Sequence, residues 1–123
     1  MGTNRRTSPF LEVESYKHNA AKKVLFMWLT ASGFNCSMEQ FYGESPMCFR
    51  PDISVNKDDV IEFWEVTHKN PVTGYKLAKM QYFSYRNNIK VVCHEISAEW
   101  ILNQVGTPSK LKKFSFEICC TTY

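Results

Sequence analysis

The stretch Arg50-Pro51-Asp52-Ile53-Ser54-Val55-Asn56-Lys57-Asp58-Asp59-Val60-Ile61-Glu62-Phe63-Trp64-Glu65-Val66-Thr67 reads as the turn of a hairpin with a strand on either side. Asn56 to Asp59 is a polar connection of hairpin length, so a strand over Met47 to Val55 should pair antiparallel with one over Val60 to Thr67. A period of two puts Ile61, Phe63, Glu65 and Thr67 on one face of the second strand, and Glu62, Trp64, Val66 and His68 on the other. Both faces are largely apolar, as in a strand covered on two sides. In such a hairpin Asp52, early in one strand, could lie close to Glu65, near the end of the next. Two unneutralised carboxylates so placed repel, and a divalent cation is the usual resolution, with hard oxygen ligands suiting Mg²⁺ or Mn²⁺.

Outward from the hairpin the elements alternate. Before it, Ser15 to Ala31 reads as a helix, with Ala21, Val24, Leu25, Trp28 and Leu29 spaced by three and four and Gly33 as its stop. Phe34 to Tyr42 suits a first strand, and Gly43-Glu44-Ser45-Pro46 is turn chemistry. After it, Asn70-Pro71 and Gly74 break the chain, and Tyr75 to Asn87 is helical, with Leu77, Met80, Tyr82 and Phe83 as packing candidates. Ile89 to Ile96 is a strand, reached by a crossover long enough for parallel pairing. Ser97 caps a short helix through Val105 that Gly106 ends, and the alternation from Phe114 to Cys120 suggests an edge strand. The expectation is an α/β fold, an α-β-β-β-α-β core over about residues 12–96 with a mixed sheet flanked by helices, and a C-terminal extension over 97–123 within one domain of 1–123.

Composition narrows the classes. At 123 residues, 44% hydrophobic and 22% charged, the chain is too short for two ordinary domains and too apolar for disorder. The longest wholly apolar run, Val24 to Leu29, falls far short of the roughly 20 residues that cross a bilayer. Met1 to Pro9 lacks the apolar core of a secretory signal, and five cysteines without a C-x-x-C pair argue for reduced thiols, so a soluble intracellular protein is expected. The net charge of +3 is mild, but its distribution is uneven. Between Glu39 and Glu65 there are seven acids against Arg50 and Lys57, whereas Val66 to His94 holds five bases and no acid. An acidic patch beside a basic one could hold a cation next to a polyanion.

Arg50-Pro51-Asp52-Ile53 followed by Glu65-Val66-Thr67 resembles the paired motifs of the PD-(D/E)xK nuclease superfamily, the restriction-endonuclease-like fold. The flanks extend the likeness: His18 and Lys22 on the first helix, Met27-Trp28-Leu29 with Gly33 after it, and a Tyr/Arg-rich second helix before an Ile-Lys-Val-Val strand. Over about residues 12–96 the chain is similar to competence-associated nuclease-like proteins, transposase endonuclease subunits and Holliday-junction-resolvase-like enzymes. The resemblance implies a metal-dependent nuclease, an endonuclease first, acting on DNA ahead of RNA, with Asp52, Glu65 and a backbone carbonyl at Val66 holding Mg²⁺ or Mn²⁺, as a homodimer or within a larger nucleoprotein assembly. It departs from the pattern at Thr67, which stands where the family has lysine and whose hydroxyl cannot act as a base near neutral pH.

A lysine from the next helix would then replace it, and Lys79 is the first choice, with Thr67 orienting water as the other option. Glu14 and His18, four apart on one helix face, and Glu39 on the first strand are further metal candidates; each has an ordinary alternative as a surface polar group. Lys22, Lys69, Lys76, Lys79 and Arg86 are the candidate nucleic-acid contacts. Tyr75, Tyr82 and Tyr85 beside them either meet bases or simply pack the crossover helix. Two other readings compete with an active nuclease: a nuclease-fold module that binds nucleic acid or protein without cutting, and an unrelated α/β interaction domain.

Overall fold

In the computed structural model, residues 9–105 and 118–122 are described, with side chains described over 16–105. The elements are α1 (Pro9–Ala31), β1 (Asn35–Met38), β2 (Ile53–Asn56), β3 (Val60–Thr67), α2 (Gly74–Asn87), β4 (Lys90–Ser97), α3 (Ala98–Gln104) and β5 (Ile118–Thr122). The predicted α-β-β-β-α-β order is the observed one. The five strands lie in the order β1-β2-β3-β4-β5, antiparallel except for the β3–β4 pair, which is parallel.

The pleat of β3 sorts the core into two layers, as the period of two requires. Trp64 and Val66 join Ala21, Leu25, Trp28 and Leu29 of α1, with Ile53, Val55, Ile96, Ala98 and Ile101, on one face. Ile61 and Phe63 join Phe49, Met80, Val91 and Cys93 on the other, beneath α2. Phe63 is fully buried there, its ring 5.0 Å from Tyr42, 5.2 Å from Phe49 and 6.1 Å from Phe83. Such tilted and edge-to-face pairs add about 0.5–1.5 kcal/mol each beyond burial. The three tryptophans are packing residues: Trp28 and Trp64 are buried, and Trp100 meets Trp28 edge to face. The adjacent Cys93 and His94 point apart, Cys93 into the α2 layer and His94 stacked on Trp64.

Several boundaries differ from expectation. α1 starts at Pro9 rather than Ser15, because proline suits a first helical position and Glu12 and Glu14 favour a helix N-terminus. It ends as predicted: Gly33, at φ 92°, turns the chain so that the Phe34 N–H donates to the Leu29 carbonyl at 3.2 Å. β1 stops at Met38 because Glu39 adopts the left-handed conformation, φ 54°. The chain then makes an excursion, closed by a Tyr42–Phe49 bridge, and rejoins the sheet only at Ile53, so the predicted strands Phe34–Tyr42 and Met47–Val55 are both shorter than expected. Thr73 caps α2 by accepting from the Lys76 N–H, and Ser97 caps α3 by accepting from the Trp100 N–H, each at 3.2 Å. The predicted stop at Gly106 and the strand start at Phe114 lie outside the described residues. Among the described residues no helix is long and apolar enough to cross a membrane.

Candidate functional site

The β2–β3 ladder ends at Ile53 opposite Trp64, and one further step in that register sets Asp52 opposite Glu65. Both acids therefore stand where β2 begins and β3 ends, at a mouth closed on one side by α1 and on the other by the start of α2. A depression there is lined by His18, Asp52, Glu65, Thr67, Lys69 and Lys76, together with Val66 and the 68–73 connection.

Asp52 is tied to both neighbours. Its Oδ2 accepts the Val66 N–H at 2.8 Å and lies 3.2 Å from His18 Nε2. Burial pushes the Asp52 carboxyl up, but the His18 hydrogen bond, the Val66 N–H and the charges of His18 and Lys76 outweigh it and hold the group below its ordinary value. The same hydrogen bond raises the His18 imidazole against the opposing effect of its burial. Asp52 stays ionised, with His18 favouring its protonated form beside it.

Glu65 has the opposite character. It is 5% exposed; Oε1 accepts from Lys76 Nζ at 2.8 Å, while Oε2 is buried with no hydrogen-bond partner among the described residues. Burial drives its carboxyl up to about 7, with the Asp52 charge adding to the rise and Lys76 opposing it. Two carboxyl groups in one mouth are thus pushed apart, one held ionised and one poised near neutrality.

The lysine that reaches Glu65 is Lys76 and not Lys79. Lys79 donates to the Cys48 carbonyl at 3.1 Å and sits 4.5 Å from the centroid of Tyr75. Both lysines share a helix face, but α2 enters at the mouth, so the residue one turn nearer its start meets the acids. The Thr67 hydroxyl donates to the Ile96 carbonyl at 3.4 Å. Lys69 lines the mouth, as does His68, whose Nδ1 is buried without a partner among the described residues. Arg86 is in the last turn of α2, about 15 Å of helix beyond Lys76. Glu14 is in α1, but its side chain is outside the described residues.

Two expectations need correcting. Lys22 is not a surface contact: it is 5% exposed and forms an ion pair with Glu39. Glu39, in turn, is not on β1 but just past it, its N–H donating to the Asp52 carbonyl at 3.0 Å and its carboxylate taken by Lys22, which holds it below its ordinary value. The pair fastens α1 to the segment that carries Asp52. Glu39→Ala would strand the buried ammonium; since the Glu39 side chain is 42% exposed, we expect a loss of about 2 kcal/mol in urea unfolding, less than a fully buried pair would cost. Lys22→Met in the same chain should restore most of it.

Residues 14–67 match the family model described as Competence protein CoiA, nuclease-like domain. The CoiA nuclease-like match runs from α1 to the last residue of β3 and so takes in His18, Glu39, Asp52, Glu65 and Thr67. Lys76 lies beyond it. The similarity supports a nuclease-related chain. No curated protein matches it.

Sequence reasoning missed Phe41 and Arg50, which stand beside the mouth with the Arg50 guanidinium 5.5 Å from the Phe41 ring centroid. The only available signal was the bend at Gly43, which marks the 39–52 segment as an excursion rather than a strand.

Proposed function

We propose that the chain is a metal-dependent nuclease of the PD-(D/E)xK type that hydrolyses phosphodiester bonds, with Asp52 and Glu65 holding Mg²⁺ or Mn²⁺. One observation carries this reading: a buried carboxylate oxygen, Glu65 Oε2, with no hydrogen-bond partner among the described residues, opposite a second carboxylate that is held ionised. A hard cation satisfies both. Among the described residues no cluster of three or more His, Cys, Asp or Glu side chains is arranged as a metal cage. Two carboxylates supplemented by a carbonyl at Val66, waters and substrate oxygens is ordinary provision for Mg²⁺. The similarity to the CoiA nuclease-like domain supports the same reading.

Bound at this mouth, such an ion would lower the pKa of a water and offset the charge that develops on the phosphoryl oxygens. The chain's own groups do the rest. His18 and the Val66 N–H fix Asp52 in one orientation and keep it anionic. Lys76 occupies the role vacated at Thr67: its ammonium balances Glu65 and is available to a phosphate oxygen or an attacking water. Lys69, at the rim of the mouth, would meet the backbone of the substrate.

The internal balance of the site favours a second reading. Asp52 already holds two donors and Glu65 a lysine, which is what a nuclease-fold module that binds without cutting would retain. Cleavage of labelled single- and double-stranded DNA and RNA with Mn²⁺, Mg²⁺ or EDTA separates the two. We expect metal-dependent cutting that Asp52→Ala abolishes. Folded protein that cuts nothing with either metal would reject the nuclease and favour the module.

A further inference from the structure

Beside the acidic mouth lies a second depression, lined by Phe41, Phe49, Arg50, Tyr75, Lys76 and Lys79. Lys76 lines both depressions, so the two adjoin. Among the described residues, three cations and no acid line this one. Its two rims are aromatic and exposed: Phe41 is 65% and Tyr75 71% accessible. Neither ring contributes to the core, and each carries a cation over its face, Arg50 at 5.5 Å from the Phe41 centroid and Lys79 at 4.5 Å from the Tyr75 centroid. A cation so placed holds a ring in one orientation while keeping its own N–H donors near the surface. The pattern continues along α2, where Tyr75, Lys79, Tyr82 and Arg86 recur at intervals of three and four on one stripe, Tyr82 being 45% exposed.

We propose that this groove receives single-stranded nucleic acid, with bases stacked on Phe41 and Tyr75 and phosphates against Arg50 and Lys79, leading one strand to the Asp52–Glu65 mouth. The proposal rests on the nuclease reading and names the substrate class of that site. Charge alone would suit either a duplex or a single strand, because both present phosphates. The aromatic rims decide between them. In a duplex the base faces are already stacked on one another, so a ring at the groove wall gains nothing, whereas an unpaired base gains a stacking partner at each rim.

The test is fluorescence anisotropy in EDTA, where no cutting occurs, with labelled oligothymidylate and a blunt duplex of equal length. The single strand should bind about tenfold tighter or more, and Phe41→Ala and Tyr75→Ala should each weaken it by about tenfold while leaving duplex binding unchanged. Tyr75→Phe, which keeps the ring, should bind as the wild type does. Both rings are exposed, so the variants should melt with the wild-type protein, and that is checked alongside. Equal or tighter duplex binding, or alanine variants that bind the single strand normally, would overturn the proposal. Cleavage restricted to duplexes would also overturn it while leaving the nuclease reading intact; selective single-strand binding with no cleavage under either metal would sustain it and remove the nuclease.

Discussion

In EDTA at about pH 8, Glu65→Gln is expected to be more stable than the wild-type protein by about 3 kcal/mol, and to be inert as a nuclease when metal is restored. The Glu65 carboxyl is raised by burial from its ordinary value of 4.5 to about 7. Between those two values the folded protein keeps a proton that the unfolded chain has released, so stability falls as pH rises through that window. Above it the full penalty of a buried carboxylate is present. At 7% side-chain exposure little of that penalty is screened by water. Glutamine mimics the neutral acid in shape and charge and never incurs it. Thermal melts at about pH 8 and about pH 4 provide the check: the variant should melt higher at the first and with the wild type at the second. Equal melting at both would mean that Lys76 alone makes the ionised acid comfortable, and would remove the main ground for placing a cation there. The expected shift, higher melting at about pH 8 with loss of cutting, would set activity and stability in opposition at Glu65, as at many working sites.

Lys76→Ala should lower the maximal cleavage rate by about 10²–10⁴-fold, the usual scale for losing a positioned proton-transfer or charge-stabilising group. Lys79→Ala should instead raise KM and leave kcat close to wild type, since its ammonium rests on Tyr75 and the Cys48 carbonyl, away from the acids. The two lysines are one turn apart, so this pair of variants isolates position from charge. A further signature belongs to Lys76 alone. Its charge opposes the rise of the Glu65 carboxyl, so its removal should shift the activity profile toward higher pH. A kcat loss in Lys79→Ala with normal turnover in Lys76→Ala would reverse the assignment.

The elements that were legible in the sequence are those governed by local rules. Val60–Thr67 carries its period of two openly, and the polar turn before it dictates an antiparallel partner, so the Asp52–Glu65 juxtaposition follows from register. The α3 cap at Ser97 is likewise local chemistry. What was illegible depended on long-range placement. Nothing in the residues around Glu39 announces a left-handed turn, which cut short β1 and converted the 39–52 segment into a loop that displays Phe41 and Arg50. Lys22 looked like a surface cation because its partner, Glu39, arrives from that same loop. Lys76 and Lys79 are equivalent in pattern, and only the docking of α2 on the sheet tells them apart.

The one parallel pairing, β3 with β4, has a consequence for how the chain acquires its site. Every other neighbouring strand pair in the sheet is antiparallel, and β1, β2 and β3 can assemble from nearby chain, whereas β3 meets β4 only after residues 68–89 have closed a long loop with α2 inside it. Asp52 and Glu65 are brought opposite each other by the early hairpin; Lys76 reaches them only with the late closure. During synthesis, a chain that has emerged through β3 but not α2 would present the two carboxylates without their lysine. The counter-charge of Glu65 thus arrives with α2, after the hairpin that brings the two acids together, so a chain folded only through β3 carries both acids without it.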